Sequence, residues 1–341
     1  MDSASQLLLG AAVGVAAMGR RTAPWKAALW GGVAGTLPDL DVFISYGDAI
    51  ADMTLHRAET HALFWLTLFS PALAALPAWL HRVQALDWPQ FRHWWLAIWL
   101  ALITHPLLDA MTVYGTQLLL PFTNHPFGVG SVFIIDPLYT LPLLVGVIAA
   151  LVVRGDSRFK WNGAGLVVST LYLAWGAAAQ AHVESVARAS LPPNERETAR
   201  VLVTPSPFNS ILWRVLVRRE DGYAEGFYSL FDAERRVRFE RFPHDLRLEA
   251  ELKRAKNPAH ARMAAFTHGF YALREENGKV RLTDLRMGQE PNYTFAFHIA
   301  ERRDGVLAPI PAVGVGGRGD PKKGLAWVWA RLQGRDIPPP R

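Results

Sequence analysis

Ionisable residues stand inside or beside apolar stretches at four places in the first half of the chain. They are Asp39 and Asp41, then His56, Arg57 and His61, then His105 and Asp109, and finally Asp136. A charge at bilayer depth is energetically costly, so its presence there predicts a function. Imidazole and carboxylate ligands without thiolate suit zinc, manganese or iron, and the chain has no cysteine. We therefore predict a divalent metal site, with zinc as the first choice and manganese or iron as alternatives.

Sequence spacing limits how these side chains can meet. His105 and Asp109 are four residues apart and would project from one face of a helix, where both can reach one metal. Pro106 is unfavourable inside a helix, and if it opened a new helical turn the two side chains would align less well. Asp39 and Asp41 are two residues apart and point the same way only in an extended segment.

The residues divide into predicted ligands and predicted catalytic groups. The metal ligands are Asp39, His56, His61, His105 and Asp109, and the catalytic residues are Asp41, Arg57 and Asp136. A metal lowers the pKa of bound water to near neutrality, which supplies a hydroxide nucleophile. Asp41 or Asp136 would serve as general base or would orient a ligand. Arg57 would hold a phosphate through two parallel hydrogen bonds.

Five of these eight residues also have an ordinary structural explanation. Asp39 or Asp41 alone suits a helix cap or a turn. Asp136 precedes a proline at the start of an apolar stretch, as helix N-caps do. His61 suits an interfacial position, and Arg57 suits a surface charge. The metal hypothesis therefore depends on the groups gathering at one place.

The elements that must position these residues belong to an apolar half of the chain. Residues 1–182 contain nine basic residues (Lys and Arg) and ten acidic ones (Asp and Glu). Residues 183–341 contain 27 basic and 20 acidic residues. Ten of the thirteen tryptophans also lie in the first half. A soluble domain with so few charges would struggle to cover its surface, but a membrane domain needs few. We predict that residues 1–182 form an α-helical polytopic membrane domain that carries the His/Asp site.

Six apolar stretches in this half are predicted to be helical segments. They cover residues 5–19, 25–37, 62–80, 93–108, 137–153 and 161–181. The third, fifth and sixth come close to the roughly 20 residues that a bilayer requires. The first two are short and rich in glycine and alanine, which suits either a tightly packed helical hairpin or a hairpin that crosses only partly.

Basic residues alternate strictly between the loops that join these segments. Eight lie after segments one, three and five: Arg20, Arg21, Lys26, Arg82, Arg92, Arg154, Arg158 and Lys160. The other loops contain only Arg57. By the positive-inside rule, the His/Asp groups would lie at the extracytoplasmic face. Six crossings would put the second half outside as well, whereas an odd number would put it in the cytoplasm.

The second half has the composition of a soluble domain. Residues 183–318 are predicted to form an α+β domain with an antiparallel sheet, because alternating apolar segments flank the turn signals Asp221-Gly222 and Asn277-Gly278. Residues 319–341 form a tail with a short helix and a proline-rich end. Charges of both signs are mixed through this half, which argues against binding to nucleic acid.

Four motifs in order resemble the YdjM-like family, which is described as inner-membrane, metal-dependent hydrolases. They are Pro38-Asp39-Leu40-Asp41, His56-Arg57 with Thr60-His61, Thr104-His105-Pro106-Leu107-Leu108-Asp109 with Tyr114-Gly115, and Ile135-Asp136-Pro137-Leu138-Tyr139. The resemblance covers about residues 1–181. It implies a multi-pass protein of a bacterial inner membrane with Asp39, His56, His61, His105 and Asp109 as its polar set, and Asp41, Arg57 and Asp136 beside them.

These features predict a membrane-bound, metal-dependent hydrolase of an ester or phosphoester. A site at the extracytoplasmic membrane face favours a lipid or lipid-linked substrate, because such molecules present their head groups there. The alternative is a membrane-anchored binding or regulatory protein whose metal is structural. Either protein has the bilayer as its partner, and the sequence carries no signal for an oligomeric state.

Overall fold

The computed structural model describes residues 1–83, 87–219, 221–317 and 319–341. The chain divides into two compact units, Met1–Ile44 with His56–Gly176, and Ser45–Leu55 with Ala177–Arg341. The helices are α1 (Ser3–Met18), α2 (Pro24–Thr36), α3 (Ala49–Leu55), α4 (Leu63–Leu80), α5 (Trp88–Ala110), α6 (Pro137–Val152), α7 (Ser157–Ala189), α8 (Leu246–Arg254), α9 (Pro258–Phe266) and α10 (Pro321–Leu332). The predicted domain boundary after residue 182 falls inside α7.

The first unit is built from helices. Asp2, Asp87 and Asp136 cap α1, α5 and α6, because each carboxylate accepts a hydrogen bond from a backbone N–H of the first turn. Between α4 and α5, the Trp95 indole donates to Ser70 Oγ at 2.8 Å and the Trp99 indole donates to Thr67 Oγ1 at 3.0 Å. Helices α4 and α5 therefore run in opposite directions. The predicted His/Asp groups lie at or after the ends of α2 and α5 and before the starts of α4 and α6.

Glycines bring α1 and α2 into backbone contact. A Cβ at Gly10 would lie 2.3 Å from Gly31 O, and one at Gly14 would lie 2.4 Å from Ala27 O. Only glycine permits this approach, so the pair is the tightly packed hairpin that the composition suggested. At a rise of about 1.5 Å per residue, the two helices are about 24 and 20 Å long, shorter than the roughly 30 Å of a hydrocarbon core.

The prediction of about six membrane-spanning segments is wrong. Among the described residues, only α4 and α7 are both long and apolar enough to cross a membrane, and α6 is apolar but shorter. Helices α1 and α2 are too short. Helix α5 has 23 residues, but it contains Arg92, His105 and Asp109, and these polar residues lower its hydropathy.

The second unit contains the antiparallel sheets predicted for the C-terminal half. Its strands are β1 (Arg200–Pro205), β2 (Leu212–Arg218), β3 (Gly222–Ser229), β4 (Glu240–Pro243), β5 (Tyr271–Glu276), β6 (Lys279–Asp284), β7 (Gly288–Gln289), β8 (Asn292–Tyr293), β9 (Ala296–Arg303) and β10 (Val306–Gly314). Two four-stranded sheets have the orders β1-β2-β3-β4 and β10-β9-β6-β5, and β7 pairs with β8. Asn277 and Gly278 join β5 to β6 with φ angles of 53° and 73°, the positive values that a tight hairpin turn requires.

Candidate metal centre

Two short 3-10 helices and the end of α5 bring the predicted residues together in the first unit. A 3-10 helix, Leu37–Phe43, carries Asp39 and Asp41, and a second one, Glu59–His61, ends at His61. His105 and Asp109 lie one turn apart near the end of α5, which continues through Pro106 to Ala110. The i, i+4 spacing therefore places both side chains on one face of the helix, as predicted.

Four of the five predicted ligands converge on one point. The Nε2 atoms of His61 and His105 lie 3.1 Å apart. Asp39 Oδ1 is 3.5 Å from His61 Nε2 and 3.4 Å from His105 Nε2. Asp109 Oδ2 is 3.3 Å and 3.4 Å from the same two atoms. All four donor atoms lie within 4.8 Å of one another, so these residues could hold a metal ion.

Hydrogen bonds on the far sides of the imidazole rings determine their tautomers. His105 Nδ1 lies 2.6 Å from Gly35 O, so Nδ1 carries the proton and donates it to that carbonyl. His61 Nδ1 lies 2.9 Å from Thr60 Oγ1, whose hydroxyl donates to Asp41 Oδ2 at 2.7 Å. In these tautomers both Nε2 atoms present lone pairs to each other, and a cation bound between them would offset the repulsion.

The two carboxylates add the charge that a divalent cation requires. Asp109 is fully buried, and its Oδ2 accepts no hydrogen bond from the part of the chain that the structure describes. Its Oδ1 accepts from Gln6 Nε2 at 3.0 Å and from the Met1 amino group. Two neutral imidazoles and two carboxylates thus fit a divalent metal.

Asp41 and His56 form a layer behind His61. Asp41 Oδ1 lies 2.7 Å from His56 Nδ1, and its Oδ2 accepts from the Thr60 hydroxyl and, at 3.1 Å, from the Arg57 backbone N–H. Burial raises the pKa of Asp41, but hydrogen bonds from His56 and Thr60 lower it below its ordinary value. The structure thus places His56 against Asp41 and outside the group of four donors, and its predicted role as a ligand stays a prediction.

Arg57 is a buried cation beside the four donors. Its guanidinium carbon stands 4.9 Å from the centre of the Tyr114 ring, and its Nε lies 3.3 Å from Asp109 Oδ2. The backbone of Arg57 has a φ of 66°, which is uncommon for a residue with a side chain. Only 3% of the residue is exposed, so the alternative of a surface charge does not hold.

Asp136 has the contacts of a helix cap. One carboxylate oxygen accepts from the Leu138 backbone N–H at 3.1 Å, and the other accepts from the Tyr172 hydroxyl at 2.8 Å. This geometry matches the capping alternative for the residue, and a catalytic role for Asp136 stays a prediction.

Access to the four donors is uneven. The side chains of His61, His105 and Asp109 have no exposed surface, whereas 19% of the Asp39 side chain is exposed. A ligand from outside would therefore approach along Asp39.

The sequence did not single out Gln6 as part of the site. Its Nε2 donates to both Asp109 Oδ1 and His105 O, which ties two donor residues to α1. The available signal was a lone carboxamide in the apolar segment Ser3–Met18. A glutamine in such a segment needs a buried partner, and only the packed structure shows which one it has.

The fold and the site together define a membrane-associated helical protein with a buried His/Asp group suited to a divalent metal. The chain belongs to the family of the YdjM inner membrane protein, whose model matches residues 1–183. Membership places the protein at the inner membrane.

Two further comparisons add little about activity. The uncharacterized protein YfhP of Bacillus subtilis (strain 168) is 28% identical over 159 residues, which are 43% of this chain and 45% of that protein. The match thus spans less than half of the relative's length. No solved structure matches the chain significantly.

Proposed function

We propose that this protein is a membrane-bound, metal-dependent hydrolase of an ester or phosphoester, with a lipid or lipid-linked substrate. The observation that supports this most is the pair of imidazole Nε2 atoms that face each other at 3.1 Å. The Nδ1 atom of His105 is hydrogen-bonded to Gly35 O, and that of His61 is hydrogen-bonded to Thr60 Oγ1. A divalent metal, zinc before manganese or iron, fits between them.

The residues of the site have separate proposed roles. Asp39, His61, His105 and Asp109 would hold the metal, which would lower the pKa of a bound water and polarise the substrate oxygen. Arg57 balances the buried charge of Asp109 and offers its guanidinium to a phosphate. Asp41 orients His61 through Thr60, and its predicted role as a general base is tested by Asp41→Asn. Asp39, the one donor with exposed surface, lies where substrate enters.

We propose that the site faces the extracytoplasmic side. The eight basic residues of the inter-segment loops lie at the opposite end of the helices, where, for example, Arg20 pairs with Asp156. The positive-inside rule assigns that end to the cytoplasm. Helix α7 starts at the basic end, so the second unit would also be extracytoplasmic.

The metal assignment is tested by the metal content of purified protein in detergent. His105→Ala and Asp109→Ala should lose the metal, and they should lose activity on a panel of phospholipids and phosphodiesters. His93→Ala is the matched control, because it removes an imidazole from the same helix outside the group of four. Metal retained by both site variants at the wild-type level would refute the assignment.

A regulatory or binding protein with a structural metal is the second candidate. The complete burial of His61, His105 and Asp109 favours it, because structural sites are closed. This candidate predicts tight metal retention and no turnover on any lipid of the panel. It also predicts that function survives Asp41→Asn and Arg57→Lys, whereas the hydrolase would lose activity in both.

A further inference from the structure

A short apolar segment beside the site projects into solvent. Within Leu37–Phe43 and the residue after it, the exposed fractions are 53% for Leu40, 66% for Val42, 84% for Phe43 and 51% for Ile44. Asp41 in the same segment is buried and Asp39 is largely buried. Four exposed apolar side chains within five residues are unusual for a surface in contact with water and mark an interaction site.

Contacts of the same segment locate it at one end of a candidate membrane span. Asp39 Oδ1 lies 3.5 Å from His61 Nε2, and Asp41 Oδ2 accepts from Thr60 at 2.7 Å. His61 is two residues before Leu63, the first residue of α4. Helix α4 is long and apolar enough to cross a membrane. The exposed segment therefore lies level with the point where α4 would enter the bilayer.

A second exposed aromatic residue marks the same end of α4. Phe122 is 77% exposed, and its ring packs edge-on against Phe64 in the first turn of α4, with 5.6 Å between ring centres. The Leu63 backbone N–H donates to Leu118 O at 3.0 Å, which holds the loop of Phe122 against the helix. Phe64 and Phe122 thus form an exposed apolar pair at the start of α4.

We propose that residues 40–44 insert into the interfacial layer of the bilayer, at the level of the lipid head groups and the first acyl carbons. The bilayer is the occupant because the segment lies beside the start of a candidate spanning helix in a protein of an inner-membrane family. The exposed part of the Asp39 side chain would then face the lipid head groups. This inference concerns lipid contact and requires neither metal nor turnover, so it stands apart from the proposed function.

The absence of cysteine makes the inference directly testable. Phe43→Cys and Val42→Cys are each labelled with a nitroxide in the full chain, which is reconstituted into nanodiscs of phosphatidylethanolamine and phosphatidylglycerol. Collisions of the label with oxygen and with a water-soluble nickel chelate report its depth. Val306→Cys is the matched control, because Val306 is 70% exposed at the first position of β10, beside the turn that joins it to β9.

Both labels in the segment should show a several-fold higher ratio of oxygen to nickel collisions than the control. A ratio equal to that of Val306→Cys at both positions would overturn the proposal. Protection from both reagents, with dipolar broadening between labelled chains, would show that a second copy covers the segment and would also overturn it. The same measurement in a His105→Ala background should give the same depth, which separates this inference from the metal assignment.

Discussion

At the scale of single residues, Thr60 connects the donors to the layer behind them. Its hydroxyl accepts from His61 Nδ1 and donates to Asp41 Oδ2, so it determines which nitrogen of His61 carries the proton. Partners of this kind orient metal ligands and raise their basicity. The sequence showed Thr60 next to His61 but not that its hydroxyl lies between two other functional groups.

Removal of the Thr60 hydroxyl should weaken metal binding. Thr60→Val keeps the volume but leaves His61 Nδ1 and Asp41 without a shared partner, and the loss of such a contact lowers metal affinity by about 10–100-fold. Competition with a chromophoric chelator measures the affinity. Thr60→Ser restores the hydroxyl and should bind as tightly as wild type, and equal affinity in the valine and serine variants would contradict the role.

The second unit contains a carboxylate, Glu249, whose contribution to stability depends on pH. Glu249 accepts from the Tyr271 hydroxyl at 2.9 Å, lies 2.6 Å from Lys253 Nζ and pairs with His244 at 2.6 Å. Burial raises the pKa of Glu249, but these hydrogen bonds outweigh burial and lower it from 4.5 to about 2.

The lowered pKa of Glu249 predicts a loss of stability in acid. A carboxylate whose folded pKa is depressed contributes its full stabilisation above the unfolded pKa, here 4.5, and loses it as the pH falls toward about 2. Thermal unfolding of the full chain in detergent, monitored by circular dichroism, should give a higher melting temperature for the wild type than for Glu249→Gln at pH 7. The difference should shrink between pH 4.5 and about 2, and a difference independent of pH would exclude this linkage.

At the scale of secondary-structure elements, the α1–α2 hairpin supports the site. Gly35 O accepts from His105 Nδ1, and Gln6 on α1 holds Asp109. A Cβ at Gly31 would lie 2.2 Å from Gly10 O, so both backbones would have to move apart. The glycine-rich composition predicted this close packing, but not that the hairpin supplies a hydrogen-bond acceptor to a donor residue.

Gly31→Ala should therefore damage both stability and metal binding. Overpacking of this kind costs about 1–3 kcal/mol, and the shift of α2 would withdraw the Gly35 carbonyl from His105. Gly163→Ala in α7 is the control, because no atom of another described element lies within 4 Å of its added Cβ. The control should be neutral or more stable, since alanine favours a helix over glycine by about 1 kcal/mol. Melting temperature and metal affinity, measured on both variants, test the expectation.

At the scale of the whole molecule, orientation in the membrane follows from where the basic residues lie. If the end of the helices with eight basic loop residues is cytoplasmic, the second unit is extracytoplasmic. A C-terminal alkaline phosphatase fusion should then be active in cells, and a C-terminal green fluorescent protein fusion should be dark. The reverse pattern would place the second unit in the cytoplasm and refute the proposed orientation.

The number of membrane spans was the main feature that the sequence misjudged. Apolar composition predicted helices at about the right places, but composition does not separate a spanning helix from a shorter packed one. Among the described residues, α4 and α7 meet the requirement of length and hydropathy, whereas α1 and α2 end too early. Glycine-mediated contact lets these two bury their apolar surface against each other.

The sequence by itself determined which residue types could do chemistry and where they lie in an apolar half. It also predicted that His105 and Asp109 meet, because one helical turn separates them when the helix continues through Pro106. Only the tertiary structure decided which groups from different elements converge. Asp39 and His61 join His105 and Asp109, Asp41 supports His61 through Thr60, and Asp136 caps a helix. Such contacts depend on how short helices pack, and residue spacing carries no information about distances between separate elements.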